Sequence, residues 1–343
     1  MLALVGLMVL FFTFPQYLIY YKDGVVLDAP MLRAPGDEDR PMLSVEVSRP
    51  AAYDGNVTAD IQVVAPDYTN LKMGSDKGLN YLQGLYVPFK NVTEEGVLSA
   101  AKDADRRDVP GLVLQVKNET GMLAWMSEVD YAAAYSTNSP WNMTAVINEL
   151  KEDGYYLVAE LCCIPDAALA TRNPDVALKS VNGELYTTEG QAGYVDPWNQ
   201  NVRDYTIALC KDLIRMGFDE IILSGVELPA GEVVYTRSIS PVLDRTVCVT
   251  NFAIAVRQGL EDVLEKNGVA LNVRMSHDSF TTLTVTNGQT FENMLKVFDR
   301  IVIDTETYGD DAKFFLDHKV DSTLRYVPGM TWSFAGGSWI LKP

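Results

Sequence analysis

From about residue 80 onward, short apolar runs alternate with amphipathic stretches, and this alternation admits few folds. Residues 193–229 show the unit most clearly. Asp196-Pro197 is a turn signal. Val202, Tyr205, Leu209, Leu213 and Met216 then recur at spacings of three and four, one face of a helix. Gly217 stands where a left-handed C-terminal cap belongs. Residues 218–223 form an apolar run of strand length, and 224–229 leave its end as a loop. Comparable runs predict strands at 82–87, 112–116, 155–161, 270–275, 300–303, 324–327 and 339–341. Helices are predicted near 94–105, 143–150, 202–216, 252–263, 291–298 and 310–318. Eight such units fit an α/β fold, the (β/α)8 TIM barrel, which typically needs about 250 residues. A doubly wound sheet is the competing architecture. No G-x-G-x-x-G follows the first strand and no phosphate loop is present, so a nucleotide-binding sheet loses support.

The chain ahead of the barrel reads differently. Residues 2–20, LALVGLMVLFFTFPQYLIY, are almost wholly apolar and near the ~20 residues that cross a bilayer. Tyr17, Tyr20 and Tyr21 suit a membrane interface. The expectation is an N-terminal hydrophobic helix over 1–21 acting as a signal-anchor in the cell membrane, with cleavage and secretion as the alternative. Residues 22–78, rich in Pro and Gly, read as an extracytoplasmic linker or stalk, and 79–343 as the barrel. The net charge of -18 argues against nucleic acid, because a phosphate-binding face needs clustered Lys and Arg. The four cysteines, Cys162, Cys163, Cys210 and Cys248, have no zinc spacing, and only His277 and His318 could assist them. They read as buried small side chains, with a disulfide left open. Ser276-His277-Asp278 carries triad residue types, but adjacent residues cannot form that relay. No cofactor or metal is expected.

Several stretches match a known pattern in order and spacing: GLYVPF at 84–89, GLVLQVKNETG at 111–121, LKEDGYYLVAEL at 150–161, NPDVALKSVNGELY at 173–186, YVDPWNQNVRDYTIALCKDL at 194–213 and GFDEIILSGVELP at 217–229. Together they resemble the bacterial glycosyl hydrolase TIM-barrel family first catalogued as a domain of unknown function. The resemblance covers roughly residues 80 to 340. It implies an extracytoplasmic barrel acting on carbohydrate. Two motifs depart from that family. Asn118 stands where the family has an aspartate after strand two. After strand four, Ser224 replaces an acid, Gly225 an aromatic residue and Glu227 an arginine.

Glycoside hydrolysis needs two carboxyl groups, one to protonate the leaving oxygen and one to attack carbon or activate water. In a barrel they sit at strand C-terminal ends. Glu119, Glu160, Glu227, Asp278, Asp304 and Glu306 occupy such positions. The pair expected to act is Glu227 as acid and Asp304 as nucleophile or base. Glu160 is the third catalytic candidate, able to face inward and pair with Lys117 or Arg274. Tyr86, Lys117, Glu119 and Trp198 are the expected substrate-binding residues. Tyr86, Trp125, Trp141, Tyr194 and Trp198 are flat rings that suit sugar faces or fill core gaps. The competing role for each acid is helix capping or ion pairing. Asp196 is read as the cap of the helix after Pro197, and Asp219 and Glu220 as framework. Two functions therefore stand side by side. One is a glycoside hydrolase acting on a cell-envelope or extracellular polysaccharide or oligosaccharide. The other is a non-catalytic carbohydrate-binding or scaffold pseudoenzyme on the same barrel.

Overall fold

The computed structural model describes residues 18–21, 24–27, 65–133, 141–180, 183–187, 193–229, 245–281 and 287–343. The chain divides into two units, Met1–Val63 and Val64–Pro343. In the first, Leu18–Tyr21 and Gly24–Leu27 pair as an antiparallel hairpin. The last three residues of the apolar stretch, Leu18 to Tyr20, are thus extended rather than helical. Residues 2–17 lie outside the described residues. Among the described residues no helix is long and apolar enough to cross a membrane.

The second unit is a closed barrel of eight parallel strands. They are β1 (Gln83–Val87), β2 (Gly111–Lys117), β3 (Tyr156–Cys162), β4 (Glu220–Ser224), β5 (Ala270–Met275), β6 (Ile301–Asp304), β7 (Tyr326–Met330) and β8 (Trp339–Leu341). β8 pairs with both β7 and β1, which closes the ring. Outer helices are α1 (Glu94–Arg106), α2 (Met143–Glu152), α3 (Gln200–Met216), α4 (Arg245–Asn267), α5 (Phe291–Val297) and α6 (Tyr308–Asp317). Thr93, Asn142 and Thr290 accept backbone N–H bonds at three helix starts, satisfying donors that the helix leaves free. Gly217 ends α3 at φ 105°, a left-handed conformation that costs a glycine nothing. α4 begins earlier than the expected 252 because Val247, Cys248 and Val249 are also buried. No helix separates β7 from β8.

Residues 65–78, expected as linker, are bonded onto the barrel. The Tyr68 hydroxyl donates to Asn293 at 2.7 Å, Gly74 N to the Lys296 carbonyl at 2.9 Å, and Ser75 N to Asp299 at 3.1 Å.

Side chains alternate along each strand, one set toward the helices and the other into the barrel. The inner set fills three levels. Leu82, Val113, Val158, Ile222, Val302, Val327 and Ile340 form an apolar centre. Below it, at the strand starts, Glu220 and Arg300 are fully buried and form an ion pair at 2.8 Å. Tyr156 and Asn272 donate to Glu220, both at 2.6 Å, while Arg300 also donates to carbonyls of Asn80 and Leu324 and to the Ser338 hydroxyl. A buried ion pair is tolerable only when its remaining lone pairs and protons are satisfied in this way. Asp219, at the same end, pairs with Lys151 at 2.6 Å. Both acids belong to the framework. The four cysteines are buried and free of disulfides. Burial pushes the Cys162 and Cys210 thiols up to about 12, so neither is a ready nucleophile.

Candidate active site

The third level lies at the C-terminal ends of the strands, and its side chains are polar. Arg274 of β5 is its hub. Its Nε and Nη2 donate to the two oxygens of Glu160 on β3, at 3.1 and 2.5 Å. Its Nη1 donates to Asp304 of β6 at 2.6 Å. One guanidinium therefore joins acids from β3 and β6, and its fork matches the carboxylate of Glu160 bidentately. The Arg274 cation also lies 5.7 Å from the ring centre of Tyr86 on β1. Burial raises the Tyr86 hydroxyl pKa well above its ordinary value, and the charge of Glu160 adds to that. Asp304 and Glu119 press on the same hydroxyl in the same direction. Carboxylates from three loops or strand ends thus converge on one phenol.

The two acids joined by Arg274 differ in environment. The Glu160 side chain is 3% exposed and that of Asp304 is 47% exposed. Asp304 also contacts the Lys342 ammonium just after β8, and Lys342 sits 5.9 Å from the Tyr86 ring centre. Gly329 of β7 is the register partner of Asp304. A Cβ on Gly329 would stand 2.2 Å from Asp304 Oδ1, so only glycine lets this carboxylate lie against the strand.

Glu227 sits three residues beyond β4, at the same end of the barrel as Asp304. It is half-buried, and Asn287 donates a short hydrogen bond to its Oε2. Asn287 is fixed in turn by Ser279 at 2.5 Å, and its carbonyl accepts from Leu228 N at 2.8 Å. Burial raises the Glu227 pKa above its ordinary value, although the Asn287 bond opposes the rise. A rise is the direction that proton donation to a leaving group requires of a carboxyl.

The other expected residues fall elsewhere. Lys117 is 1% exposed, and its ammonium donates to the Cys162 carbonyl at 2.7 Å and lies 2.9 Å from Asp166. Burial opposes its charge, but Asp166, Tyr205 and Cys162 together more than restore it. Through these two contacts Lys117 supports the floor of the loop after β3. Glu119 is exposed at the end of β2. Asp278 lies in the helix His277–Thr281, and Glu306 is exposed. Of the five aromatic candidates, Trp125 and Tyr194 are core residues, 1% and 6% exposed. Trp141 donates its indole N–H to the Ala124 carbonyl at 2.8 Å. Trp198 is half-buried under Arg203, whose cation is 5.3 Å from the ring. The cap of α3 is Asn199, not Asp196. Asp196 instead accepts Trp198 N at 2.9 Å, closing the turn before Asn199. Burial raises its pKa to about 6.

Sequence reasoning named Arg274 only as a partner for Glu160. Its inward position was readable, since Asn272 and Arg274 interrupt an apolar strand with period two. Asn287, Lys342 and Gly329 carry no comparable signal, because each lies far along the chain from the acid it serves. Among the described residues no group of His, Cys, Asp and Glu could hold a metal ion.

A family model described as "Putative glycosyl hydrolase domain" matches residues 84–303. No relative was found among curated protein sequences. Among solved structures, the glycoside hydrolase domain of PgaB (BpsB) from Bordetella bronchiseptica superposes with a TM-score of 0.57. It is 10% identical, and the match covers 76% of this chain and 94% of that one. An alpha-galactosidase from Lactobacillus brevis gives a TM-score of 0.55 at 10% identity, covering 78% of this chain and 38% of that one. A hypothetical protein from Ruminiclostridium thermocellum ATCC 27405 is 22% identical, covers 55% of this chain and 96% of that one, and has a TM-score of 0.48. The first two likenesses are likenesses of fold.

Proposed function

Because the chain belongs to this family of glycosyl hydrolase domains, we propose that it hydrolyses a glycosidic bond in a cell-envelope or extracellular polysaccharide. The observation that carries the reading is a contrast between two carboxyls at one end of the barrel. Glu227 is half-buried against Asn287 with its pKa raised by burial, while Asp304 is half exposed between two cations. Environments that separate two acids in this way assign them to opposite roles.

Glu227 donates its proton to the glycosidic oxygen as the bond from that oxygen to the anomeric carbon breaks. Asp304 attacks that carbon, or takes a proton from the water that does. Their separation with substrate bound would select between retention and inversion. Glu160 acts through Arg274, holding the guanidinium that orients Asp304. It is a positioning residue. Tyr86, beside the Arg274 and Lys342 cations, is the ring this reading sets against the sugar.

The experiment is a product assay on the full chain with soluble polysaccharides, comparing Glu227→Gln and Asp304→Asn with the wild type. Removing a positioned general acid is expected to cost roughly 10²–10⁴ in rate. The pH profile gives a second readout. Glu227 must be protonated to act, so wild-type activity falls as pH rises through its raised pKa. Undiminished turnover in Glu227→Gln refutes the assignment.

One observation favours a second reading, binding without hydrolysis. Arg274 takes up Glu160 and Asp304 together, and a base so paired is a weak one. Oligosaccharide binding with no product from any substrate, and unaltered binding in Asp304→Asn, would select it. Placement outside the cytoplasm rests on the apolar run 2–20 alone, as an anchor or a cleaved leader. Fractionation and N-terminal sequencing of the mature chain test it.

A further inference from the structure

We propose that Trp332, with Tyr308 and Phe334 behind it, forms a stacking subsite for the apolar face of a pyranose ring on the rim beside Asp304. The proposal rests on the carbohydrate reading above and adds where the sugar chain lies. Trp332 is 49% exposed, unlike the buried Trp125 and Trp339. It touches no large part of the core. Its ring meets Tyr308 edge-on at 6.0 Å and Phe334 at 5.8 Å. Those two rings are themselves partly buried against the core and lie 4.7 Å apart. The indole is thus held from behind by two rings while much of it stays in solvent.

The position ties it to the carboxylates. Trp332 is two residues past Met330, the last residue of β7. The Met330 carbonyl accepts from Lys342 N at 2.7 Å, and the Lys342 ammonium contacts Asp304. Gly329, three residues before Trp332, lies against Asp304 itself. Tyr308 opens α6 four residues after Asp304. Both segments that leave the Asp304 region therefore carry a ring of this cluster.

The loop is also pinned. The Trp339 indole N–H donates to the Phe334 carbonyl at 2.8 Å, and Ser338 N donates to the Thr323 carbonyl at 2.9 Å. Because β7 and β8 are joined without a helix, nothing in that crossover covers the indole. A fixed ring loses little freedom on binding. The surroundings select the occupant. A protein-binding patch is a contiguous apolar area of several hundred Å². Here a single exposed indole follows by three residues Gly329, which lies against exposed Asp304 and its Lys342 partner. An exposed ring on the same strand end as charged hydrogen-bonding groups suits a sugar, whose C–H face is flat and whose edge is hydroxylated.

The test uses the full chain carrying Glu227→Gln, so that hydrolysis does not consume the probe. Cellohexaose, chitohexaose and maltohexaose are titrated while tryptophan emission and acrylamide quenching are followed. At least one probe is expected to bind, to shift the emission and to shield an indole from quencher. Adding Trp332→Ala should abolish the shielding and weaken binding at least tenfold, with an unchanged melting temperature. Trp332→Phe should recover most of the affinity. Binding that Trp332→Ala leaves unaltered overturns this subsite and leaves the carbohydrate reading standing. Absence of binding to every probe overturns both.

Discussion

Replacing Asp196 by asparagine isolates the cost of one buried charge. The Asp196 side chain lies in a residue only 5% exposed, and burial raises its pKa from 3.8 to about 6. The Trp198 N–H and the Arg203 charge pull the other way but do not cancel the burial. Each pKa unit is worth about 1.36 kcal/mol. Ionising Asp196 therefore costs about 3 kcal/mol more in the folded protein than in the unfolded chain. The sign follows. The folded state holds its proton more tightly, so this group's stabilisation is present below about pH 4. It is lost as pH rises towards 6. Asparagine keeps the oxygen that accepts Trp198 N and removes the titration. Asp196→Asn should be more stable than the wild type by roughly 2–3 kcal/mol at pH 7.5, and equal to it near pH 3.5. Urea unfolding of both proteins at the two pH values measures this, and the difference cancels every other titrating group. Equal stability at pH 7.5, or a less stable variant there, refutes the reasoning.

Three further outcomes follow from the barrel. Arg300→Met should destabilise the fold by about 3–5 kcal/mol, because Glu220 is left as an uncompensated buried charge; denaturant midpoints check it. Gly329→Ala should displace Asp304, into whose Oδ1 the new Cβ would project, and lower turnover more than it lowers the melting temperature. Arg274→Lys should loosen both acids, since a single ammonium cannot reproduce the fork that grips Glu160; turnover should fall while oligosaccharide affinity changes little.

Much of the fold was legible because strand and helix periods are local. The 3.6-residue recurrence in 202–216 and the apolar runs at 112–116, 270–275 and 324–327 each announce an element within a dozen residues. Gly217 did the same for a helix end. Asp219 and Glu220 were readable as framework because they open a strand, at the end of a barrel that is not used for chemistry. The N-terminal half of the reading was less local. Leu18–Tyr20 have the hydrophobicity of a span yet pair in a hairpin, since strand and buried helix cannot be told apart from apolar runs alone.

What the amino-acid order determined by itself was the eight barrel strands, most of their helices and the end of the barrel on which Glu160, Glu227 and Asp304 lie. What only closure decided was the identity of their neighbours. Arg274 could have met Glu160 alone; the ring brings it Asp304 as well, with Lys342 from the far end of the chain. Lys117, just as plausible beforehand, was drawn inward to Asp166. Trp125 and Trp332 are the same residue type on neighbouring kinds of loop, yet one fills the core and the other stands in solvent. Such choices depend on which segments meet across 30 to 114 positions of sequence, and no local pattern encodes the volume left between them.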